Sequence, residues 1–327
     1  MTRHLRSLLD LSRDEVERVL SLAAAVKKDP SAYRTKLAGK NVAMIFAKPS
    51  TRTRVSFEVG LNQLGATGLY LPAGGATGLQ VNRGETNHDT AKVLSRYVDA
   101  IVIRTFAQAQ VDELAKFGSI PVVNALTDKY HPCQALADAQ TIRERFGSER
   151  RIKLTWVGPG NNVTHSLMLM GPRAGIDVVC ACPATLPPNN TVLERATADA
   201  KEAGTTVIVE TDPAKAVEGA DVIYTDTFVS MGQEDEKDEL LAKLADYQVT
   251  PELMAKAKDD AVFMHCLPAH RGEEVADEVI DGPQSIVFDE AENRLHAQKA
   301  LMLLLICLLY TSPSPRDLST SRMPSSA

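Results

Sequence analysis

Residues 50–54 read Ser-Thr-Arg-Thr-Arg: three hydroxyls and two guanidiniums in five consecutive positions, with Lys48 and Pro49 just before them. The chain carries a formal charge of −6, so this cationic knot is local rather than part of a basic surface. If Ser50 caps a helix, the first turn exposes backbone N–H groups beside the positive end of the helix dipole. The hydroxyls of Ser50, Thr51 and Thr53, with Arg52 and Arg54, then make a site suited to a dianionic phosphate. An ordinary solvated helix start, its arginines paired with surface acids, fits this segment equally well on its own.

Four other segments invite the same question. In "HPCQ" (131–134) Pro132 suits the first position of a helix. His131 and Gln134 then stand at its mouth, able to hold a small carbonyl or amide group; a histidine that only caps or packs is the plainer alternative. "TDTFVSMG" (225–232) offers Asp226 and Ser230, either a carboxylate for an ammonium group or an acidic turn. "HCLPAHRGEEV" (265–275) offers His265, Cys266 and His270. Two histidines and one cysteine fall short of a closed zinc set, so no metal is expected. Cys266 is either a polarisable contact that shifts protons or a buried small apolar residue. "VGPGNN" (157–162) has two glycines of a dinucleotide loop, Gly158 and Gly160, but Val163 stands at the third position. The next apolar run ends "VVCAC", with no acid for a ribose, so a dinucleotide is not expected either.

These segments need elements to hold them. The chain has 327 residues, 44% apolar and 24% charged, the profile of a soluble protein of two domains. Its acidic balance argues against nucleic acid or an acidic membrane as partner. Five thinly spread cysteines (Cys133, Cys180, Cys182, Cys266, Cys307) fit a reduced, cytoplasmic compartment. The opening "LSRDEVERVL" reads as a serine-capped helix with an acidic first turn rather than a signal or transit segment, so the mature protein is expected to start here.

Short apolar runs then alternate with helical patterns: "NVAMIFA", "TGLYL", "DAIVIRT" and "IPVVNA", then "IKLTWVG", "IDVVCAC", "TTVIVE", "DVIYTD" and "AVFMHC". That alternation predicts an α/β protein of two domains, each a parallel sheet flanked by helices. The polar "RERFGSERR" divides them into 1–148 and 149–289, with a helix over 290–309 expected to pack back on the first. Ligands of open parallel sheets collect beyond the carboxyl ends of the strands, where every segment above sits. "ALMLLLICLLY" (300–310) is too short to span a bilayer. The Ser/Pro-rich 311–327 should be disordered, and it reads as a foreign or frame-shifted tail.

"STRTR", "HPCQ", "GNN", "TDTFVSMGQE", "HCLPAHRGEEV" and "FDEAENRLHAQKAL", in this order, resemble the aspartate/ornithine carbamoyltransferase family over roughly residues 1–306. "DTFVSMG" and "HCLP" resemble its ornithine branch. The resemblance implies transfer of the carbamoyl group of carbamoyl phosphate to the δ-amine of L-ornithine, giving L-citrulline and phosphate, with no metal or organic cofactor. It implies that Ser50, Thr51, Arg52, Thr53 and Arg104 hold the phosphate. His131, Gln134 and Arg294 would hold the carbamoyl group, and Gln80 would reach a neighbouring subunit of a homotrimer. Asn162, Asp226, Ser230 and Met231 would take the amino-acid end of ornithine, Cys266 and Leu267 would line the junction, and Asp226 with Cys266 would ease proton removal. Arg54 is expected to brace the loop. A carbamoyltransferase for another amine, or a non-catalytic carbamoyl phosphate binder, are the alternatives. Three positions depart from the family's pattern: Pro159 where aspartate is usual, Ala47 where glutamate is, and a longer, Gly-rich segment at 72–85.

Overall fold

The computed structural model describes residues 2–73, 84–230 and 232–307. In the first half, α1 (Arg13–Lys28) precedes β1 (Asn41–Phe46), α2 (Thr51–Gln63), β2 (Thr67–Pro72) and α3 (Asn87–Tyr97). β3 (Ala100–Arg104), α4 (Gln108–Phe117), β4 (Val122–Leu126) and α5 (Pro132–Phe146) follow. The second half runs β5 (Ile152–Val157), α6 (Asn162–Ala174), β6 (Ile176–Ala181), α7 (Asn190–Ala203), β7 (Val207–Glu210), α8 (Pro213–Val217) and β8 (Val222–Thr225). It ends with α9 (Lys237–Leu244), α10 (Pro251–Met254), β9 (Val262–His265), α11 (Asp277–Ile280) and α12 (Val287–Ile306).

All nine expected strands are present, in two parallel sheets ordered β2-β1-β3-β4 and β7-β6-β5-β8-β9. The inner strands β3 and β8 and the edge strand β9 are buried at every position. Helices cover both faces of such a sheet, which is why these strands read as unbroken apolar runs. Each sheet reverses its strand order once, between β1 and β3 and between β5 and β8. The carboxyl ends flanking such a reversal leave a crevice. Phe46 pairs with Arg104 in register at the first, so the segment after Phe46 emerges beside the Arg104 side chain. Thr225 pairs with His265 at the end of β8 and β9, so Asp226 and Cys266 leave the sheet as neighbours.

One apolar cluster runs from Val42 and Met44 of β1 through α5 and α6 to Trp156 of β5 and Cys180 of β6. α12 packs on α1, α2 and α5 and reaches β9. A Cβ on Gly60 of α2 would stand 3.2 Å from Lys299 Cγ, so the approach of α2 to α12 leaves little room for a larger residue. Glu290, Arg294 and Gln298 lie four residues apart on α12, hence on one face, and all are buried. Positions 308–309 of the expected last helix and the expected tail, 311–327, lie outside the described residues.

Candidate functional site

The two crevices open into one cavity of about 1160 Å³, at the upper end of small-molecule sites. On the first side Ser50 caps α2, its Oγ accepting from the Thr53 N–H at 3.2 Å. The N–H groups of Thr51 and Arg52 keep no partner among the described residues and line the cavity with the Arg52 side chain. Arg54 turns away: it pairs with Glu58 at 3.3 Å and lies over the Tyr70 ring at 3.8 Å. Lys48 pairs with Asp128 over the Phe106 ring, bridging the loops after β1 and β4.

Behind the cap of α2, Arg104, His131 and Arg294 are buried together. Arg294 donates to Gln134 Oε1 at 2.6 Å and to Thr53 Oγ1 at 3.3 Å. With its amide turned to suit both neighbours, Gln298 donates to Ser56 and accepts from Arg294 Nε at 3.2 Å. His131 precedes the first turn of α5, its N–H donating to Ser166 Oγ at 2.7 Å. Arg104 Nε and His131 Nδ1 are buried without a partner among the described residues. Buried polar atoms are nearly always paired, so two orphans on residues lining one cavity set this end of it apart. Burial and the neighbouring Arg294 and Arg52 draw the Arg104 pKa down to about 10, which leaves it charged at neutral pH. Burial beside Arg294 and Arg104 lowers His131 well below its usual range, so its ring is neutral.

On the other side, Cys266 Sγ donates to Asp226 Oδ1 at 3.0 Å. Burial and Asp226 push the Cys266 thiol well up, so it stays protonated and acts as a donor. Asn161 caps α6 and reaches Asp226 Oδ2 at 3.3 Å, while Asn162 Nδ2 donates to the Thr127 carbonyl at 2.7 Å, tying the two sheets together. Leu267 has a φ of 55° and precedes a cis bond to Pro268. Its N–H donates to His265 Nδ1 at 2.8 Å, so Nε2 carries the ring proton toward Glu274 at 3.2 Å. Ser230 completes the lining. Gln80 and Met231 lie outside the described residues.

Thirteen residues singled out in the sequence therefore line one cavity: Ser50, Thr51, Arg52, Thr53, Arg104, His131, Gln134, Asn162, Asp226, Ser230, Cys266, Leu267 and Arg294. Of the residues weighed as metal donors, His265 and Cys266 cluster with Asp226, whereas His270 clusters with Glu273 and Glu274. The glycine loop after β5 is filled by protein: the Gly160 N–H donates to the Leu186 carbonyl at 2.9 Å, and a Cβ there would sit 2.3 Å from Pro188 N. Asn161, Phe106 and Asp128 were missed. Asn161 was legible as a helix cap beside Asn162, but nothing in sequence brings Phe106 or Asp128 to Lys48.

Two family descriptions match the chain: "Aspartate/ornithine carbamoyltransferase, carbamoyl-P binding domain" over residues 3–144 and "Aspartate/ornithine carbamoyltransferase, Asp/Orn binding domain" over 150–305. An ornithine carbamoyltransferase of Symbiobacterium thermophilum is 54% identical over 308 residues, 92% of this chain and 96% of that protein. One of Caldicellulosiruptor saccharolyticus is 52% identical, covering 94% of this chain and 99% of its own length. The solved ornithine carbamoyltransferase of Pyrococcus furiosus superposes with a TM-score of 0.88 at 50% identity, over 93% of this chain and 97% of that one.

Proposed function

This chain belongs to the aspartate/ornithine carbamoyltransferase family, and on that premise we propose a division of labour in its cavity for carbamoyl transfer to ornithine. The enzyme moves the carbamoyl group of carbamoyl phosphate to the δ-amine of L-ornithine, giving L-citrulline and phosphate. The free N–H groups at the start of α2, with Ser50, Thr51, Arg52, Thr53 and Arg104, take the phosphate. His131, Gln134 and Arg294 take the carbamoyl group. Asn162, Asp226, Ser230 and Met231 take the amino-acid end of ornithine, with Cys266 and Leu267 at the junction.

In the reaction the lone pair of the neutral δ-amine forms the new C–N bond. The carbonyl oxygen takes up negative charge, and the C–O bond to phosphate then breaks with its electron pair leaving on phosphate. Thr53, Arg104 and neutral His131 are disposed to stabilise that oxyanion without further rearrangement. An amine of ordinary pKa, near 10.4, is neutral only about one part in 2500 at pH 7. Asp226 is the group able to accept its proton, since the Cys266 thiol is itself held protonated. Holding two substrates in one cavity supplies much of the remaining acceleration.

The single observation that carries this assignment is the buried, unpartnered pair Arg104 Nε and His131 Nδ1, on residues that line the same cavity as Asp226 and Cys266. The test is citrulline formation from carbamoyl phosphate and ornithine, alongside aspartate and putrescine as acceptors. Faster transfer to another amine would overturn the choice of ornithine.

The working assembly is a homotrimer in the cytoplasm, serving arginine metabolism. Apolar Val55, Val59 and Leu69 are exposed on α2 and the edge strand β2, which leads into the segment carrying Gln80. All five cysteines are free, as a reducing compartment requires. Among the described residues no helix is long and apolar enough to cross a membrane.

A further inference from the structure

Behind the carbamoyl end of the cavity lies a buried acid pair that the reaction itself does not use. Asp138 stands one turn beyond Gln134 on α5, and Glu290 opens the buried polar face of α12. Both are fully buried. Gln134 Nε2 donates to Asp138 Oδ1 at 2.8 Å and to Glu290 Oε1 at 2.9 Å. A side-chain amide has two N–H bonds, so both are spent, and its oxygen is left facing Arg294 at 2.6 Å with a second lone pair to offer.

The pair is in turn anchored from the second sheet. Tyr224 O–H donates to Glu290 Oε1 at 2.9 Å, with Asp138 Oδ1 at 3.4 Å, and the His265 N–H donates to Glu290 Oε2 at 2.9 Å. Burial and mutual repulsion push Glu290 well up, and burial raises Asp138 to about 7, so the pair holds a proton at neutral pH.

We infer that Asp138 and Glu290 are positioning residues that lock the Gln134 amide with its oxygen toward the cavity, making the site select a transferable group with an N–H donor over one with a methyl. A free glutamine could rotate and present either end; a locked one presents an acceptor only. A methyl in place of the carbamoyl amine would leave the second lone pair of that oxygen without a donor in a buried site, a mismatch that discriminates between the two groups. The inference rests on the carbamoyl-transfer reading for the identity of the ligand, and its geometry joins both sheets through α12.

The experiment compares calorimetric binding of carbamoyl phosphate, acetyl phosphate and inorganic phosphate to the wild-type enzyme and to Asp138→Leu, Asp138→Asn and Glu290→Asp. Acetyl phosphate differs from carbamoyl phosphate by a methyl in place of the amine. The wild type should prefer carbamoyl phosphate. Asp138→Leu should cut that preference about tenfold with phosphate affinity unchanged, and Asp138→Asn, which keeps an acceptor oxygen, should restore it. Glu290→Asp withdraws the carboxyl by one methylene while preserving its chemistry, and it serves should the leucine variant not fold; it too should lower the preference. A preference absent in the wild type, unchanged in the variants, or lost only in step with phosphate affinity would overturn the lock. Failure of the carbamoyl-transfer reading shows separately, as a wild-type enzyme that makes no citrulline.

Discussion

At the scale of single residues the cavity divides by charge state. Arg52 reaches the cavity from an exposed helix start, so its loss should not disturb the core. Arg52→Ala should lower kcat/KM for carbamoyl phosphate by about 100- to 1000-fold, the worth of one charge-stabilising donor, and weaken inhibition by phosphate. An unchanged phosphate inhibition constant would remove Arg52 from the cradle. Cys266, held as a thiol beside Asp226, should be alkylated by iodoacetamide at about pH 8 at less than a tenth of the rate of a free thiol, as read by peptide mass mapping. A rate matching free cysteine would contradict that protonation state. His131 sets a sign with pH. Its folded pKa is depressed, so its contribution to stability is whole above the unfolded value of about 6.5 and is lost as pH falls toward the folded one. The melting temperature of the wild type relative to His131→Asn should therefore drop between about pH 7 and pH 5; a constant difference would count against the buried neutral ring. The strand-end residues were legible because their types are unusual and sit at punctuated positions. Asp138 and Tyr224 were not, since each looks like ordinary helix or strand and they meet 86 residues apart in sequence.

At the scale of elements the strands were the most legible part, because a sheet covered on both faces demands unbroken apolar runs. α12 was legible as a helix, but not the extent to which it buries polar groups: Glu290, Asn293, Arg294, Gln298 and Lys299 are all buried. The helix lies against α1, α2 and α5, so its polar stripe has partners rather than water: Lys27 reaches Asn293 at 2.9 Å and Lys299 reaches Gln63 at 2.9 Å. Periodicity reports which faces are apolar, and it is silent on a polar face covered by another polar face. The loop after β5 gives a sharper test. Gly160 sits where a Cβ would press on the backbone of Pro187 and Pro188. Gly160→Ala should destabilise by about 1–3 kcal/mol in denaturant titration and raise KM for ornithine more than for carbamoyl phosphate, since the displaced loop carries Asn161 and Asn162. Equal effects on both substrates would place that loop elsewhere.

At the scale of the molecule, two sheets are joined by a shared apolar core on one side and face a cavity on the other. The exposed valines of α2 should be covered in the assembly. Val59→Glu should shift the sedimentation of the enzyme from trimer toward monomer, and a wild type that sediments as a monomer would defeat the assembly proposal. The division into two sheets was visible in the composition of the linker, and the last helix was expected to pack back on the first domain, but its particular partners were not legible, because those contacts depend on the fold rather than on neighbouring residues. That return has a consequence in time. Arg294 touches Thr53 across 241 positions of sequence. At 5–20 residues per second, the cradle at the start of α2 leaves the ribosome roughly 12 to 50 seconds before the guanidinium that completes it. For that interval the nascent chain holds Thr53, and for its last 160 residues Gln134 as well, without their shared cation. Translation itself therefore orders the assembly of the site, and a message that stops short of α12 encodes both sheets but no finished enzyme.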